Sequence, residues 1–307
     1  MNKKILQIAV FSILTLSSLL LFIAFYNKKN PEAVMESSNK YLLQKSDNLK
    51  ITKIAVISDT HLNEESFKFL LGFLNSNPVA AIIHLGDHTD FGDLKSLKLS
   101  KSYLDSLNVT YYSLAGDHDI AETSSLSNFS QVYKTTKYMT INDINLTFIN
   151  NPFNYTPFST LEFDEILRSI SNADLILTSQ PLFVPKDNFF SYKYMGSMDD
   201  VANLSPTKQI LLKEYNSQGQ TLLSKIRETQ KQLLIVSGDH HRSATFTDPA
   251  NSLITYHITG ALAKNIYLGS KQYSQKALQS PRFSIIEIYK NSEGQTQFKI
   301  KEQIIEN

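Results

Sequence analysis

Four short stretches of this 307-residue chain set an aspartate beside or near a histidine: Asp59-Thr60-His61, Gly86-Asp87-His88, Gly116-Asp117-His118-Asp119 and Gly238-Asp239-His240-His241. Five of the seven histidines fall inside them. Carboxylates and imidazoles in company suit a divalent ion such as Mn, Fe, Zn or Mg. Two such ions, roughly 3.5–4 Å apart, can clamp the attacking and the leaving oxygen of a phosphoryl displacement. An Asp at a tight Gly-Asp turn is placed to bridge them. A polar residue opening a loop after a strand accounts for any one stretch. It does not account for the histidine bias across all four, which points to a metal site.

The segments before these stretches must carry them to one place. Ile51 to Ile57, Val79 to Leu85, Val109 to Leu114 and Leu233 to Val236 are short apolar runs, and each ends in one of the motifs. Helical periodicity separates the early ones: Glu64 to Asn75, with Phe67, Leu70, Leu71 and Leu74 on one face, and Leu94 to Leu107. Strands alternating with helices predict βαβ units and a largely parallel sheet, and ligands bind beyond the carboxyl ends of such strands. Four ends in one sheet would bring the Asp and His side chains to one edge. Further along, Thr140 to Ile149 predicts a hairpin turning at Asn142-Asp143, and Ser159-Thr-Leu-Glu162 a capping box. Asp174 to Thr178 predicts another strand. Ser205-Pro206 opens a long helix to about Thr229, interrupted near Gly219. Phe183 to Leu204 reads as a long loop over the site. The tail from Ser243 is mostly β, with a hairpin around Asn291 to Gly294.

In this order the motifs resemble those of the calcineurin-like metallophosphoesterases: D-x-H, G-D-x-x-D, G-N-H-[DE], a strand ending in His, and G-H-x-H. The matches are Asp59-Thr-His61, Gly86-Asp87-His88-Thr-Asp90, Gly116-Asp117-His118-Asp119, Leu177-Thr-Ser179-Gln-Pro181 and Gly238-Asp239-His240-His241, within about residues 51 to 260. The resemblance implies a four-layer α/β sandwich, two mixed β-sheets flanked by helices. It implies that Asp59, His61, Asp87 and His241 hold a first metal and that Asp87 bridges to a second. It also implies that His118 stabilises and protonates the leaving oxygen, oriented by Asp119, while a metal-activated hydroxide attacks phosphorus.

Three second-metal positions depart from that pattern. Asp117 stands for Asn, Ser179 or Gln180 for the strand-end His, and Asp239 for the first His of the late motif. With Asp59 and Asp87, the added Asp117 and Asp239 make four carboxylates. These cancel the charge of two divalent ions and weaken the field offered to a phosphate. Several readings follow: a hard second ion such as Mg, Mn or Ca, one carboxylic acid kept protonated by its neighbours, or a site that keeps only its first metal.

Composition bounds the rest. A net charge of +1 argues against a nucleic-acid-coating protein, and no obligate protein partner is expected. The chain has no cysteine, which excludes disulfides, thiolate ligands and a Cys nucleophile. Ile5 to Tyr26 is uncharged, with Lys3 and Lys4 before it and Lys28 and Lys29 after. That run is long enough to cross a bilayer and lacks a small-x-small cleavage site, so it reads as a signal anchor ahead of a cleaved peptide. The division expected is an anchor at 1–30, a stalk at 31–50 and a metallophosphoesterase-like domain at 51–307. The location expected is single-pass, with the domain outside the cytoplasm.

Other residues carry weaker assignments. Arg242 suits a phosphate contact or plain solvent. Asp90 suits a hydrogen bond to a ligand histidine or a helix cap. His84 and His257 read as packed. The function expected is hydrolysis of a phosphate ester, monoester or diester, near a membrane surface. The alternative is a catalytically weak or inactive membrane-tethered metal-binding module that keeps the fold.

Overall fold

Strand β1 (Thr52–Ile57) shows why this sequence folds in layers. Its Ile54 and Val56 point one way and Ala55 and Ile57 the other, all four with no exposed surface. A strand buried on both faces reads as a continuous apolar run because each face needs its own partner layer. The computed structural model describes residues 50–152, 156–185, 194–195, 204–263 and 279–305. They fall within the second of two units into which the chain divides, Met1–Leu49 and Lys50–Asn307.

Two mixed sheets form the centre. The first has the order β11-β10-β1-β2-β3, with β2 at Ala81–His84, β3 at Tyr111–Ser113, β10 at Arg282–Lys290 and β11 at Thr296–Ile304. Strands β1, β2 and β3 run parallel, and β10 and β11 are antiparallel additions. The second has the order β4-β5-β6-β7-β9-β8: Tyr138–Ile141, Ile144–Ile149, Leu175–Thr178, Leu233–Ser237, Ile254–Ile258 and Ala244–Thr247. Its four inner strands are parallel and its edges antiparallel.

Three apolar clusters fix the stacking. Ile54, Val56, Ile83, Leu85 and Leu114 of the first sheet pack on Phe148, Leu175, Leu177, Leu234 and Val236 of the second. Ala55, Ile57 and Ile82 pack outward on Phe67, Leu70 and Leu74 of α1 (Glu64–Ser76) and on Leu97 and Leu104 of α2 (Leu94–Ser106). Ile149, Ile176 and Ile235 pack on Ile166 and Ile170 of α4 (Thr160–Ile170) and Leu212, Tyr215 and Leu222 of α5 (Pro206–Arg227). The result is helices, sheet, sheet, helices. A short helix, α3 (Ser127–Val132), adds Phe129 to the outer core of the first sheet.

Local signals behave as the residues dictate. Ser159 caps α4 through Glu162 N–H, and Asp93, not Asp90, caps α2 through Ser96 N–H. Asn142 and Asp143 take positive φ between β4 and β5, the geometry of a two-residue hairpin turn. Two expectations need correcting, and a third lies largely beyond the described residues. The Asp and His stretches end strands of both sheets, not of one. Helix α5 runs unbroken through Gly219, because that residue is buried on its packed face and the flanking apolar contacts outweigh glycine's low propensity. The loop Phe183 to Leu204 lies largely outside the described residues.

The membrane expectations are also corrected. Among the described residues no helix is long and apolar enough to cross a bilayer. The longest, α5, has 22 residues but carries Lys208, Lys213, Glu214, Lys225 and Arg227. The structure therefore supports neither an N-terminal transmembrane helix or signal anchor, nor a membrane partner, nor a single-pass location. The run Ile5 to Tyr26 and the stalk up to residue 49 lie outside the described residues.

Candidate metal centre

The strand ends meet through tight loops. Asp59 N–H donates to the Gly86 carbonyl at 3.0 Å, and Thr60 N–H to the Asp87 carbonyl at 2.9 Å. A Cβ on Gly86 would stand 2.6 Å from Gly116 N, and one on Gly116 would stand 2.0 Å from Asp87 Oδ1. Only glycine at both places lets these loops approach so closely. Six residues at the centre hold positive φ without being glycine: Asp59 (53°), His61 (42°), Leu62 (55°), Asp87 (57°), Asp239 (71°) and His241 (54°). Such conformations cost energy each and persist where the surrounding fold imposes them, typically at functional sites.

Two groups of donor atoms result. Asp59, His61, Asp87 and His241 form one, and Asp87, Asp117 and His118 the other; within each group the donor atoms lie within 4.8 Å of one another. Asp87 belongs to both. The first group fits a cation on the state of its buried atoms. Both carboxylate oxygens of Asp59 and Nε2 of His61 lack hydrogen-bond partners. His241 Nε2 stands 3.0 Å from Asp59 Oδ1 but out of line for a hydrogen bond. Buried polar atoms are seldom left so. Lone pairs converging on a shared point instead of on one another are what a cation would satisfy.

The histidines are held in defined tautomers. His61 Nδ1–H donates to Asp90 Oδ1 at 2.7 Å, which leaves the Nε2 lone pair facing the centre. His118 Nδ1–H donates to the Asp90 backbone carbonyl at 2.9 Å. One residue thus fixes both rings, which meet edge to face at 4.9 Å between centroids. Asp119 does not orient His118. It is fully buried and accepts from the N–H groups of His88, Thr89 and Gly116 and from the Thr89 hydroxyl. It braces the loops that carry Asp87 and Asp117. Replacing Asp90 by Ala should therefore weaken metal affinity about 10–100-fold, as losing a ligand's hydrogen-bond partner does. A calorimetric metal titration checks this, with the thermal melt of the metal-free protein changing little because Asp90 is exposed.

His88 and His240 show where the histidine bias overstated the site. His88 is buried and turned into the core, donating from Nε2 to the Leu114 carbonyl and accepting at Nδ1 from Ser100. It stacks on His84 at 3.5 Å, and His84 in turn bonds Thr60 Oγ1 and Gly86 N–H. His240 is buried, with Nε2 3.9 Å from Asp239 Oδ2. His257 bonds Thr245 and Ser284. Arg242 is half-buried directly after His241.

Asp239 belongs to neither donor group. Its Oδ1 accepts instead from Gln180 Nε2 at 3.3 Å, and Gln180 Oε1 accepts from the Tyr215 hydroxyl at 3.4 Å. Asn151 Oδ1 takes the N–H groups of Ser179 and Gln180, and its amide donates back to the Gln180 carbonyl. At the end of β6, then, a clamped amide meets Asp239 side chain to side chain. Asn151 and Tyr215 escaped the sequence reading. The signal for Asn151 was the same as for the aspartates, a polar residue closing an apolar run.

Electrostatics follow from crowding. Burial pushes Asp59 up, but His241 and His61 beside it outweigh that and hold it at about 2. Burial, with Asp117, Asp59, Asp119 and Asp239 nearby, raises Asp87 well above the usual carboxylate range. Asp239 is pushed up to about 8 by burial and by Asp117 and Asp59. Burial lowers His61, whereas Asp59 lifts His241 above its ordinary value against the pull of burial.

The family model for calcineurin-like phosphoesterases matches residues 52–248. Among curated proteins none matches the chain. A dimetal phosphatase from Danio rerio superposes over 82% of this chain and 98% of its own, with a TM-score of 0.51 at 11% identity. A purple acid phosphatase from yellow lupin (Lupinus luteus) seeds superposes over 81% of this chain and 53% of its own, with a TM-score of 0.49 at 10% identity. At 11% identity the likeness to the first is one of fold.

Proposed function

Because the chain belongs to the calcineurin-like phosphoesterase family, we propose that it hydrolyses a phosphate ester, monoester or diester, at this centre. The observation that carries the proposal is the buried, mutually unbonded set of Asp59 oxygens and His61 Nε2 facing Asp87 and His241. Asp59, His61, Asp87 and His241 would hold one cation, and Asp87 with Asp117 a second. When bound, divalent ions there would supply a nucleophile from water near neutral pH and offset the charge of the phosphate. His118, its Nδ1 locked to the Asp90 carbonyl, directs Nε2 toward the cleft and gives a proton to the leaving oxygen as the phosphorus–oxygen bond breaks. The leaving group departs as an alcohol and the water oxygen stays on phosphorus. Asp119 holds the loop geometry, and Arg242 is assigned to phosphate oxygens.

The Gln180–Asp239 hydrogen bond favours a second reading, a module that binds one cation and turns over little. A panel of one chromogenic phosphomonoester and one phosphodiester, each with Mn, Mg, Zn and Ca, separates the two. Turnover with at least one ion, lost on chelation, is the expected result. No turnover with any ion, with one bound ion by elemental analysis, would decide for the module, and no bound ion would overturn both readings.

A further inference from the structure

At the opposite end of the second sheet lies a cavity of about 810 Å³, bounded by edge strand β4, the start of β5 and the C-terminal half of α4. Small-molecule sites run from roughly 300 to 1,000 Å³. Its walls present Lys137, Arg168, Lys231 and Lys290 against Glu165 and Asp174. Four cations against two carboxylates leave an excess of two positive charges.

The pairing inside does not remove that excess. Lys137 pairs with Glu165. Asp174, buried at 1% exposure, accepts from Lys290 Nζ at 2.6 Å, Thr296 Oγ1 at 2.6 Å and Asn145 N–H at 2.9 Å, with Lys231 Nζ at 3.5 Å. One carboxylate thus positions two lysines and can neutralise only one. Arg168 is exposed, and its Nε donates to the Asp164 carbonyl, a neutral partner. Its remaining guanidinium edge belongs to the wall.

The cavity is separate from the metal centre. Asp174 immediately precedes β6 and Lys231 shortly precedes β7, while Ser179 and Gly238 follow those strands. At a rise of about 3.3 Å per residue, five to seven residues of strand put roughly 16–23 Å between the two places. The signs of charge differ as well: aspartates crowd one end, lysines and an arginine the other.

We propose that this cavity binds a compact polyanion, a small molecule carrying phosphate or several carboxylate groups. Arg168 and Lys231 would meet the anionic groups, and Asp174 keeps Lys231 and Lys290 in position to do so. The inference stands whether or not the metal centre is active.

Calorimetric titration of the metal-free full chain with pyrophosphate, and separately with citrate, tests it. Binding of at least one probe is expected, weakened about tenfold or more by Arg168→Glu and by Lys231→Glu, since each replaces an attraction with a repulsion. Asp87→Asn should leave it intact. Pyrophosphate alone binding would mark a phosphorylated ligand, and citrate alone a polycarboxylate. Arg168 is exposed on a helix, so Arg168→Glu decides the matter even where Lys231→Glu fails to fold. Absence of binding by either probe up to roughly millimolar concentration, or binding that survives Arg168→Glu, overturns the proposal.

Discussion

Asp87→Asn is expected to lower phosphate-ester hydrolysis by about a thousandfold or more and, in the metal-free protein, to raise the melting temperature. The first effect follows from position. Asp87 is the one residue common to both donor groups, and the ions it would anchor stabilise a transition state by several kcal/mol; each 1.36 kcal/mol is tenfold in rate. An amide offers one neutral oxygen where the carboxylate offers two charged ones. The second effect has the opposite sign because Asp87 is buried among Asp59, Asp117, Asp119 and Asp239 and its carboxyl group is raised well above the usual range. An isosteric amide removes that repulsion while Oδ1 still accepts from His118 N–H, now at 3.1 Å. A variant that is inactive and melts higher without metal is the signature of a residue kept for chemistry at a cost in stability. Steady-state rates in the best metal, together with melts after chelation, measure both. Activity within tenfold of the parent chain would remove Asp87 from the centre.

Much of this architecture was legible in the residues themselves. Apolar runs ending in Gly-Asp, the Asn142-Asp143 turn and the Ser159 cap are local signals, and the chain obeys them. Strand ends place the Asp and His residues of the motifs at a sheet edge, but choosing Asp59, His61, Asp87 and His241 among them rests on the family resemblance, and these four do stand together. What sequence could not show depends on side-chain direction and on which sheet a strand joins. His88 sits in a motif with the right neighbours, yet its ring turns inward to Ser100 and the Leu114 carbonyl. Asp119 follows His118 directly but spends its oxygens on three backbone N–H groups and a hydroxyl, while Asp90, 28 residues earlier, holds the ring. Asp239 stands where the family's late motif has its first His, which puts it at the second metal by resemblance; in the fold its Oδ1 accepts from Gln180, whose amide is fixed by Tyr215. Gly219 predicts a break because propensity is local, whereas the packing that overrides it comes from the second sheet.

Chelation should destabilise this protein more at pH 8 than at pH 6.5, and the direction can be worked out from the groups at the centre. Unfolded carboxylates titrate near 3.9. In the metal-free fold Asp239 is raised to about 8 and Asp87 is raised well above the ordinary range, by burial first and by neighbouring aspartates next. Between these limits the folded state binds protons that the unfolded state does not, so stability is present at lower pH and is lost as pH rises toward 8. His241, raised by Asp59 against burial, acts in the same sense. Buried neutral imidazoles act in the other. Burial lowers His84 well below its ordinary value, His88 to about 3 and His257 to about 4. Their contribution is complete above about 6.5, the unfolded value, and is lost as pH falls below it. The metal-free protein should therefore be most stable near pH 6.5, falling on the alkaline side by about 1.4 kcal/mol per pH unit for each proton involved. Divalent ions compete with the same protons, so their stabilisation grows as pH rises. Melting curves with and without chelator at pH 6.5, 7.25 and 8 should diverge steadily. Superimposed curves at all three would mean that no cation occupies the centre. A constant gap would mean that the ligands carry no protons to displace, and the crowded-carboxylate account would fail with it.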